Sequence, residues 1–503
     1  MLQDQLMALD RAGERSITQQ LVDAFSAAIE TGELAPGAQL PPTRALAETA
    51  GINQLTAGRA YKRLQEMGLV VSGVGRGTFV RETAALHRDR AQGGGSASAW
   101  QTYALPEERD SAAGRMVGDL AQHVEREDLI ALSAGYPPSE LFPLEQLRDA
   151  TAAVLAEQGP ASFHYAPVEG LTDLRVQLAA LGRRRGSSDD PDCILVTTGA
   201  RQALTLATRA VLRPGDAVAC ESPTFMGVIE ALGVTGAELL PVPIDEHGLD
   251  IDALEHLLAR HEIRLLAIQS RLQNPTGADL SEERRRRLVE LAQRHSFFIL
   301  EDSVYADLRY EGTGPPSLRA LDPDHVIAAD SLSKTLSPGL RSGWIAASGP
   351  VLDRIIVEKR NDDTHSPTLT QQIVARFLAD GHYEPQLELA RRMHRERRDA
   401  LLAAIGRHMG DLALFTPPAG GGHVWLTLRS AVDEAQLYRQ ALAAGVSFTP
   451  GSTMLVERAR ATHMRLSFSM LAPDQLEEGV RLLAGVVRSV EAGAGRHRSM
   501  PMA

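Results

Sequence analysis

The sequence predicts an α/β protein with a mostly parallel sheet, preceded by a small helical domain. Over most of the chain, short apolar runs alternate with stretches of helical length, which is typical of parallel sheets covered by helices. A separate series of helices and a hairpin precedes this region, and a Gly- and Ser-rich stretch divides the two. The apolar runs that we expect to be strands are 194–197, 217–219, 265–268, 297–300 and 326–329.

Composition narrows the class of protein. The chain has 503 residues, which is too long for one ordinary domain, and its 44% hydrophobic and 23% charged residues exclude a disordered chain. There is no apolar run of membrane-spanning length, so we expect no membrane partner, and the first residues lack a secretory pattern. The cysteines, Cys193 and Cys220, lack metal-ligand spacing. We therefore expect no metal site and a cytoplasmic location.

The N-terminal unit has the element order of a winged helix-turn-helix. Leu21, Phe25, Ala28 and Ile29 recur at helical spacing, and Thr43 is a candidate N-cap for the second helix. Helices are expected over 16–31, 44–50 and 55–67, and a hairpin is expected from 69–71 to 77–80.

Charge supports this interpretation of the N-terminal unit. The whole chain has a net charge of -12, but residues 42–81 contain six basic and two acidic residues. Arg59, Lys62 and Arg63 lie on the third helix, and Arg76 lies in the hairpin turn. A recognition helix and a wing would place such residues on phosphates and base edges, whereas the alternative is a solvated helix face.

This unit resembles the GntR-type DNA-binding domain. The resemblance implies double-stranded DNA as a partner, and Asn53-Gln54-Leu55 departs from the usual Ser-Arg-x before the threonine. The matching segments are Gly37 to Ala47 with Pro41-Pro42-Thr43-Arg44, Thr56 to Leu64, Gly68-Leu69-Val70 and Gly75 to Val80. The DNA contacts that it implies are Arg44, Thr56, Arg59, Lys62 and Arg76. We assign residues 14–82 to this domain.

A flexible linker is expected over 83–110, because residues 91–99 are rich in glycine, serine and alanine. The α/β body is expected over 111–490. In a parallel sheet, ligands collect at the carboxyl ends of the strands, so residues at these ends are candidates for a site.

Three such ends carry chemical groups. Gly199 lies between the first strand and a helix whose free N–H groups suit an anion, although any strand-turn-helix has this arrangement. Asp302 follows a buried strand and either pairs with a protonated ring nitrogen or caps the next helix. Lys334 is one of three lysines in the chain and lies in a Ser- and Gly-rich loop before Arg341. Burial, or the charge of Arg341, would favour the neutral amine that a Schiff base requires.

These groups suit pyridoxal 5'-phosphate (PLP), and the body resembles the fold-type I, aspartate aminotransferase-like enzymes. The resemblance implies PLP as cofactor and a smaller C-terminal α+β subdomain. The matching motifs are Tyr165, Gly170-Leu171, Leu174-Arg175, Thr198-Gly199, Asn274-Pro275-Thr276-Gly277, Asp302-x-x-Tyr305, Ser331-x-Ser333-Lys334, Arg341-x-Gly343-Trp344 and Arg465-Leu466-Ser467-Phe468.

The resemblance also implies a role for each matching residue. Lys334 would form the internal aldimine, Asp302 would keep the pyridine nitrogen protonated, and Asn274 and Tyr305 would bind the ring hydroxyl. Phe225, where many relatives have tyrosine, would stack on the ring. The expected phosphate ligands are Ser331, Ser333, Arg341 and the amides of Ala200 and Arg201, with Tyr165 reaching the phosphate of a neighbouring subunit. Gly199 belongs to the same cofactor site and would let the backbone approach closely.

Arg465 would bind the carboxylate of a substrate or effector, and its alternative role is a structural ion pair. The GntR-type head and the aminotransferase-like body together resemble the MocR family of bacterial transcription regulators. That resemblance implies a head-to-tail homodimer that senses an amino acid, an amine or PLP through aldimine exchange at Lys334. The alternatives are an active aminotransferase that carries a DNA-binding domain, and a DNA-binding protein with an inactive scaffold.

Overall fold

The computed structural model divides the chain into two units, residues 1–111 and 112–503, and each unit is described by itself. The structure describes residues 9–10, 16–31, 33–34, 37–67, 69–73, 77–80, 128–457, 459 and 461–498. The domain boundaries predicted at 14, 82–83 and 110–111 lie outside the described residues, as does the predicted linker.

The first unit has the predicted winged helix-turn-helix order of elements. Its core joins the three helices, and the rings of Phe25 and Tyr61 meet edge to face at 5.6 Å between centroids. The hairpin is antiparallel and pairs Val70 with Val80. The elements are α1 (Ile17–Thr31), α2 (Thr43–Thr49), α3 (Gln54–Glu66), β1 (Val70–Gly73) and β2 (Gly77–Val80).

The N-cap of α2 differs from the prediction, and α3 has an N-cap that was not predicted. Pro42, and not Thr43, is the N-cap of α2, because Thr43 already has helical geometry. The cap of α3 is Asn53, whose side chain accepts a hydrogen bond from the backbone N–H of Leu55 at 2.9 Å. Met67, expected as the last residue of this helix, follows its end and is 54% exposed.

The second unit is built on an eight-stranded mixed sheet, and the predicted α/β class is confirmed. The strands are β4 (Ile194–Thr197), β5 (Ala217–Ser222), β6 (Glu238–Asp245), β7 (Gly248–Leu249), β8 (Ile263–Ile268), β9 (Phe298–Asp302), β10 (Val326–Ser331) and β11 (Gly343–Ala346). Their order in the sheet is β4-β11-β10-β9-β8-β5-β6-β7. The neighbours from β10 to β6 in this order pair in parallel, whereas β11 is antiparallel to both β10 and β4.

All five predicted strands are present, but β6, β7 and β11 were not predicted. Helices cover both faces of the sheet, and buried apolar side chains fill the space between them. The helices up to the end of the large domain are α4 (Leu144–Gln158), α5 (Thr172–Arg184), α6 (Ala200–Val211), α7 (Met226–Gly233), α8 (Ile251–Leu258), α9 (Glu282–His295), α10 (Leu318–Leu321), α11 (Pro350–Asp362) and α12 (Thr368–Ala379).

A smaller α+β subdomain follows, as the resemblance implied. Its four-stranded antiparallel sheet has the order β12-β13-β16-β15, and a short parallel pair joins β3 (Ile130–Ala131) to β14 (Val446–Ser447). The last helix continues to Arg498, beyond the predicted domain end at 490. The remaining elements are α13 (Tyr383–His408), β12 (Ala413–Phe415), β13 (His423–Leu428), α14 (Glu434–Ala443), β15 (Thr449–Pro450), β16 (His463–Ser467) and α15 (Pro473–Arg498).

Within the described residues, none of the helices combines the length and the apolar composition needed to cross a membrane.

Arg319, on α10, connects the sheet to the loops behind it. Its side chain is almost fully buried. Its Nε lies 2.8 Å and 2.9 Å from the two carboxylate oxygens of Asp189, and its Nη1 donates hydrogen bonds to the backbone carbonyls of Pro323 and Val326. Because removing one member of a buried ion pair leaves the other charge without compensation, the pair is sensitive to substitution.

We expect Arg319→Leu to destabilise the body by about 3–5 kcal/mol, since Asp189 would remain buried and unpaired. The measurement is the midpoint of urea unfolding followed by circular dichroism. Arg286→Leu, in the exposed pair of Arg286 with Glu282, is the matched control and should leave the midpoint nearly unchanged. Equal midpoints for wild type and Arg319→Leu would contradict this assignment.

Candidate functional site

Several strands of the sheet place their ends at one edge. The carboxyl ends of β4, β8, β9 and β10 lie there, and the antiparallel β11 begins there. A cavity of about 370 Å³ lies at this edge. The predicted residues that line it are Ala200, Arg201, Phe225, Asn274, Asp302, Tyr305, Ser331, Ser333, Lys334, Arg341 and Arg465.

Lys334 extends from the loop after β10 into this cavity. Its Nζ donates to the carbonyl oxygen of Gly135 at 2.7 Å and lies about 6 Å from the ring centroids of Tyr136 and Tyr305. Burial lowers the pKa of Lys334 to about 8, and the charges of Arg465 and Arg341 act in the same direction against Asp302. A larger fraction of this amine than of an ordinary lysine amine is therefore neutral near neutral pH, which suits a nucleophile.

Asp302 is the last residue of β9 and is oriented by two hydrogen bonds. Gln269 Nε2 donates to its Oδ2 at 2.7 Å, and the backbone N–H of Val304 donates to its Oδ1 at 3.3 Å. Burial raises the pKa of Asp302 to about 6, which the two hydrogen bonds and Lys334 oppose. A protonated ring nitrogen beside this carboxylate would favour its charged form.

Sequence reasoning did not identify Gln269, which connects Asp302 to the neighbouring strands. Its backbone N–H donates to Glu221 at 2.9 Å, and its Oε1 accepts from the backbone N–H of Asn274 at 2.7 Å. Burial raises the pKa of Glu221 to about 8. This glutamine therefore determines the position of both Asp302 and Asn274, and its place directly after β8 was the available signal.

Hydroxyls, a guanidinium and a helix terminus surround one end of the cavity. The hydroxyls of Ser331 and Ser333 lie 2.7 Å apart, and Arg341 Nη2 donates to the carbonyl of Thr198 at 2.6 Å. Helix α6 begins here at Ala200, so its first N–H groups have no partner within the helix. Gly199 has a φ of +103°, and a Cβ there would lie 2.8 Å from Arg341 Nη2. This donor set fits a phosphate group.

Arg465, on β16, is buried and is held by neutral groups. Its guanidinium donates to Asn274 Oδ1 at 3.1 Å, to the Ser133 carbonyl at 3.2 Å and to Thr449 Oγ1 at 3.1 Å. Its Nε has no hydrogen-bond partner, and no carboxylate of the described residues forms an ion pair with it. Burial lowers the pKa of Arg465 to about 10. Within this part of the chain, Arg465 thus lacks the ion-pair partner that a structural role would require.

His423, at the start of β13, is a second residue that sequence reasoning missed. Its Nε2 lies 2.8 Å from the hydroxyl of Tyr305, and its Nδ1 is buried without a partner. Burial lowers the pKa of His423 well below its usual value, and Arg465 and Lys334 add to this effect, so the ring is neutral. The run Gly420-Gly421-Gly422 directly before it was the available signal, because glycines allow close backbone approach.

Of the two aromatic residues Tyr165 and Phe225, only Phe225 lies in the cavity. Tyr165 does not line the cavity; it is 88% exposed and contacts His365 edge to face at 5.3 Å between centroids. Phe225 lines the cavity as predicted, and Gly227 leaves room for its ring, because a Cβ there would lie 2.5 Å from it.

The predicted DNA contacts lie on the first unit. Arg59 and Lys62 are exposed on α3, and Thr56 on the same helix is half-buried. Arg44 is exposed on α2 and pairs with Glu48 at 3.4 Å, a contact of little energetic weight. Arg76 lies outside the described residues.

Two protein families match the chain. "Aminotransferase class I and II" matches residues 127–483, and "Bacterial regulatory proteins, gntR family" matches residues 17–80. The HTH-type transcriptional regulator TauR of Rhodobacter capsulatus is 30% identical over 95% of this chain and 97% of its own length. The aromatic-amino-acid aminotransferase 1 of Thermococcus litoralis is 32% identical over 74% of this chain and 91% of its own length.

A solved structure matches the body alone. It is LysN, the α-aminoadipate aminotransferase of Thermus thermophilus, complexed with N-(5'-phosphopyridoxyl)-L-leucine. The TM-score is 0.69 at 32% identity, and the match covers 76% of this chain and all of that one. The body is therefore similar to aminotransferases, and the similarity to TauR extends through the head.

The lowered pKa of Lys334 predicts how cofactor capture depends on pH. The rate of PLP incorporation into apoprotein should rise with pH, with a midpoint near 8, because the neutral amine is the nucleophile. Arg465→Gln should move this midpoint to higher pH, since one of the charges that lower the pKa is removed. Stopped-flow absorbance across a pH series measures both.

Arg201→Gln is the matched control, because its side chain lines the same cavity but pairs with Glu230. Its midpoint should equal that of the wild type. A wild-type midpoint near 10.5, the ordinary value for lysine, would show that the site does not perturb the amine.

Proposed function

The chain belongs to the aminotransferase class I and II family and, with its gntR-type head, to the MocR-type transcription regulators, and we propose that its body senses an amino compound at Lys334 and thereby changes DNA binding by the head. The single observation that carries this proposal is the convergence of Lys334, Asp302 and Arg465 in one cavity of a chain that also carries a DNA-binding domain.

PLP is the cofactor of this family, and the residues of the cavity suit its functional groups. It supplies an aldehyde that condenses with primary amines and a ring that withdraws electrons. We assign Ser331, Ser333, Arg341 and the first N–H groups of α6 to the phosphate, because together they form the cluster of donors at one end of the cavity.

The ring would lie between the two ends of the cavity. Asp302 would accept a hydrogen bond from the pyridine nitrogen, and Gln269 would hold its carboxylate in place. Asn274 and Tyr305 would bind the ring hydroxyl, and Phe225 would cover one face of the ring. The resemblance to the fold-type I enzymes implies these roles, and the presence of all of these side chains in the wall of one cavity supports them.

Lys334 and Arg465 would together recognise the amino compound. The amine of the ligand would replace Lys334 on the cofactor, and the released Lys334 amine, with its lowered pKa, would take up the proton that the ligand ammonium loses. Arg465 would bind a ligand carboxylate through its guanidinium, whose present partners are neutral groups. The proposed effector class is therefore a primary amine that carries a carboxylate.

A ligand shifts DNA binding only through different affinities for two conformations of the protein. We propose that these conformations belong to a head-to-tail homodimer in the cytoplasm, with Tyr165 reaching the cofactor phosphate of the other subunit. Tyr165 and the nearby Phe163 are 88% and 70% exposed and lie at one surface, which supports an interface there, because adjoining exposed apolar side chains are typical of interaction sites. The domain limits 14–82, 83–110 and 111–490 belong to the same proposal.

A second candidate function is transamination between amino acids and 2-oxo acids. The same residues that would bind PLP and a carboxylate also suffice for proton transfer at Lys334, and the body is similar to the T. litoralis aminotransferase. Steady-state assays with amino-acid/2-oxo-acid pairs distinguish the two functions. Fast multiple turnover without sequence-specific DNA binding would favour the enzyme.

The response to effector should depend on Lys334. In the PLP-loaded protein, an active amino acid should change both the cofactor absorbance and the affinity for DNA from upstream of the protein's own gene. Lys334→Ala should abolish this coupled response, and borohydride should then attach no PLP covalently to the protein. Fluorescence anisotropy with labelled DNA measures the affinity. Lys359→Ala is a control for covalent attachment, because Lys359 bonds Asp363 and does not line the cavity. If borohydride attached PLP to another side chain in Lys334→Ala, that result would contradict the proposal.

The carboxylate preference should depend on Arg465. Arg465→Gln should weaken binding of an amino acid effector about 10- to 100-fold, which corresponds to loss of a charged hydrogen bond, and should leave the corresponding decarboxylated amine nearly unaffected. Absorbance titration of the PLP-loaded protein with both ligands measures this. Equal losses for the acid and the amine would show that Arg465 does not contact the carboxylate.

A further inference from the structure

A second cavity lies in the body, separate from the cofactor cavity. Its volume is about 540 Å³, and no aspartate or glutamate is among the described residues that line it. Small residues, including Gly186, Ala306 and the Gly- and Pro-rich segment 312–316, form much of the remaining wall. The charged residues that line it are Arg184, Arg185, Arg271, Arg309 and Arg391. We call this the arginine cavity.

All five arginines have a carboxylate within ion-pair distance, but none of these carboxylates lines the cavity. Arg185 bonds Asp307 and Asp330, and Arg309 bonds Asp279. A guanidinium has five N–H donors, and each such pair engages only part of them. Arg184 and Arg391 are nearer the solvent. Arg184 forms an ion pair with Glu384, and Arg391 forms one with Glu388.

Arg271 is the least compensated of the five. It is 7% exposed, and its Nη2 makes one hydrogen bond, to Ser303 Oγ at 3.0 Å. Its Nε has no hydrogen-bond partner and lies 3.9 Å from Glu301, whose carboxylate accepts from other groups. Burial lowers the pKa of Arg271 and the neighbouring Arg185 adds to this effect, whereas the charges of Glu301, Asp330 and Asp307 oppose it. A buried guanidinium with so few partners is costly unless an anion completes its shell.

We propose that the arginine cavity binds a small anion with two or more negative charges, of the phosphate or carboxylate type. Guanidinium groups bind both types through paired N–H donors, and several of them converge on this space. The volume lies within the usual range for small-molecule sites. This proposal does not depend on whether the protein regulates transcription.

The arginine cavity shares two chain segments with the cofactor cavity. The first shared segment is 302–307. Asp302 and Tyr305 of this segment line the cofactor cavity. Ala306 lines the arginine cavity, and Asp307 forms an ion pair with Arg185. Between residues 269 and 274 the same alternation occurs, since Arg271 lies between Gln269 and Asn274. An anion that moves Arg185 or Arg271 therefore acts on the segments that hold Asp302, so its binding should alter the cofactor absorbance.

The test uses calorimetry on the full-length, PLP-loaded protein, in which the phosphate end of the cofactor cavity is filled. Inorganic pyrophosphate and citrate are titrated separately at constant ionic strength. We expect saturable binding of at least one, and the tighter of the two distinguishes phosphate from carboxylate chemistry. Arg184→Gln and Arg391→Gln should each weaken it about tenfold or more, as expected for lost charged hydrogen bonds. Thr313→Glu, which adds a negative charge at an exposed lining residue, should do the same.

Arg183→Gln and Arg392→Gln are matched controls, because each removes an arginine that is adjacent in sequence but does not line the cavity. They should change the affinity less than about twofold, which corresponds to ~0.4 kcal/mol. Absence of saturable binding for both anions, or equal losses in the cavity variants and the controls, would overturn the proposed site. Saturable binding that leaves the cofactor absorbance unchanged would overturn the link between the cavities.

Discussion

The chemistry of this protein depends on a lysine amine that is removed from water beside two arginines. Lys334 is held at the edge of the sheet by one hydrogen bond to the Gly135 carbonyl, and its pKa falls to about 8. Burial alone disfavours the ammonium, and Arg465 and Arg341 disfavour it further. The same arginines are the groups that suit a carboxylate and a phosphate. One arrangement of charges thus prepares the nucleophile and the binding groups for its ligands.

The sheet topology is what allows these groups to meet. Lys334 and Asp302 follow adjacent parallel strands, and Arg341 precedes β11, whose antiparallel direction brings its start to the same edge. Arg465 comes from the smaller subdomain, so the cavity is completed by two parts of the body. A ligand that takes the place of Lys334 on the cofactor and also bonds Arg465 would therefore connect the large domain to the subdomain. Such a connection gives a physical basis for a conformational response, because its strength differs between ligand-bound and ligand-free protein.

The residues of the cofactor cavity suit a regulator and an enzyme equally well. A sensor that recognises an amino compound through exchange on PLP needs the same lysine, acid and arginine as a transaminase. The two differ in the step after ligand binding, which is either proton transfer and product release or a change in DNA affinity. The gntR-type head supplies a reason for the second outcome, whereas the neutral pair of Tyr305 and His423 in the cavity is compatible with both.

The sequence by itself determined the α/β class, the order of the head elements and the identity of Lys334, Asp302 and Arg465 as candidates, because strand periodicity and short motifs are local signals. It did not reveal β11 as an antiparallel strand, nor Asn53 as the cap of α3, since both depend on neighbours that the pattern does not specify. Only the tertiary structure showed that Gln269 orients Asp302, that His423 meets Tyr305 and that five arginines surround a second cavity. The physical reason is that hydrogen bonds and burial depend on distances in space, and Tyr305 and His423, for example, are separated by 118 residues along the chain.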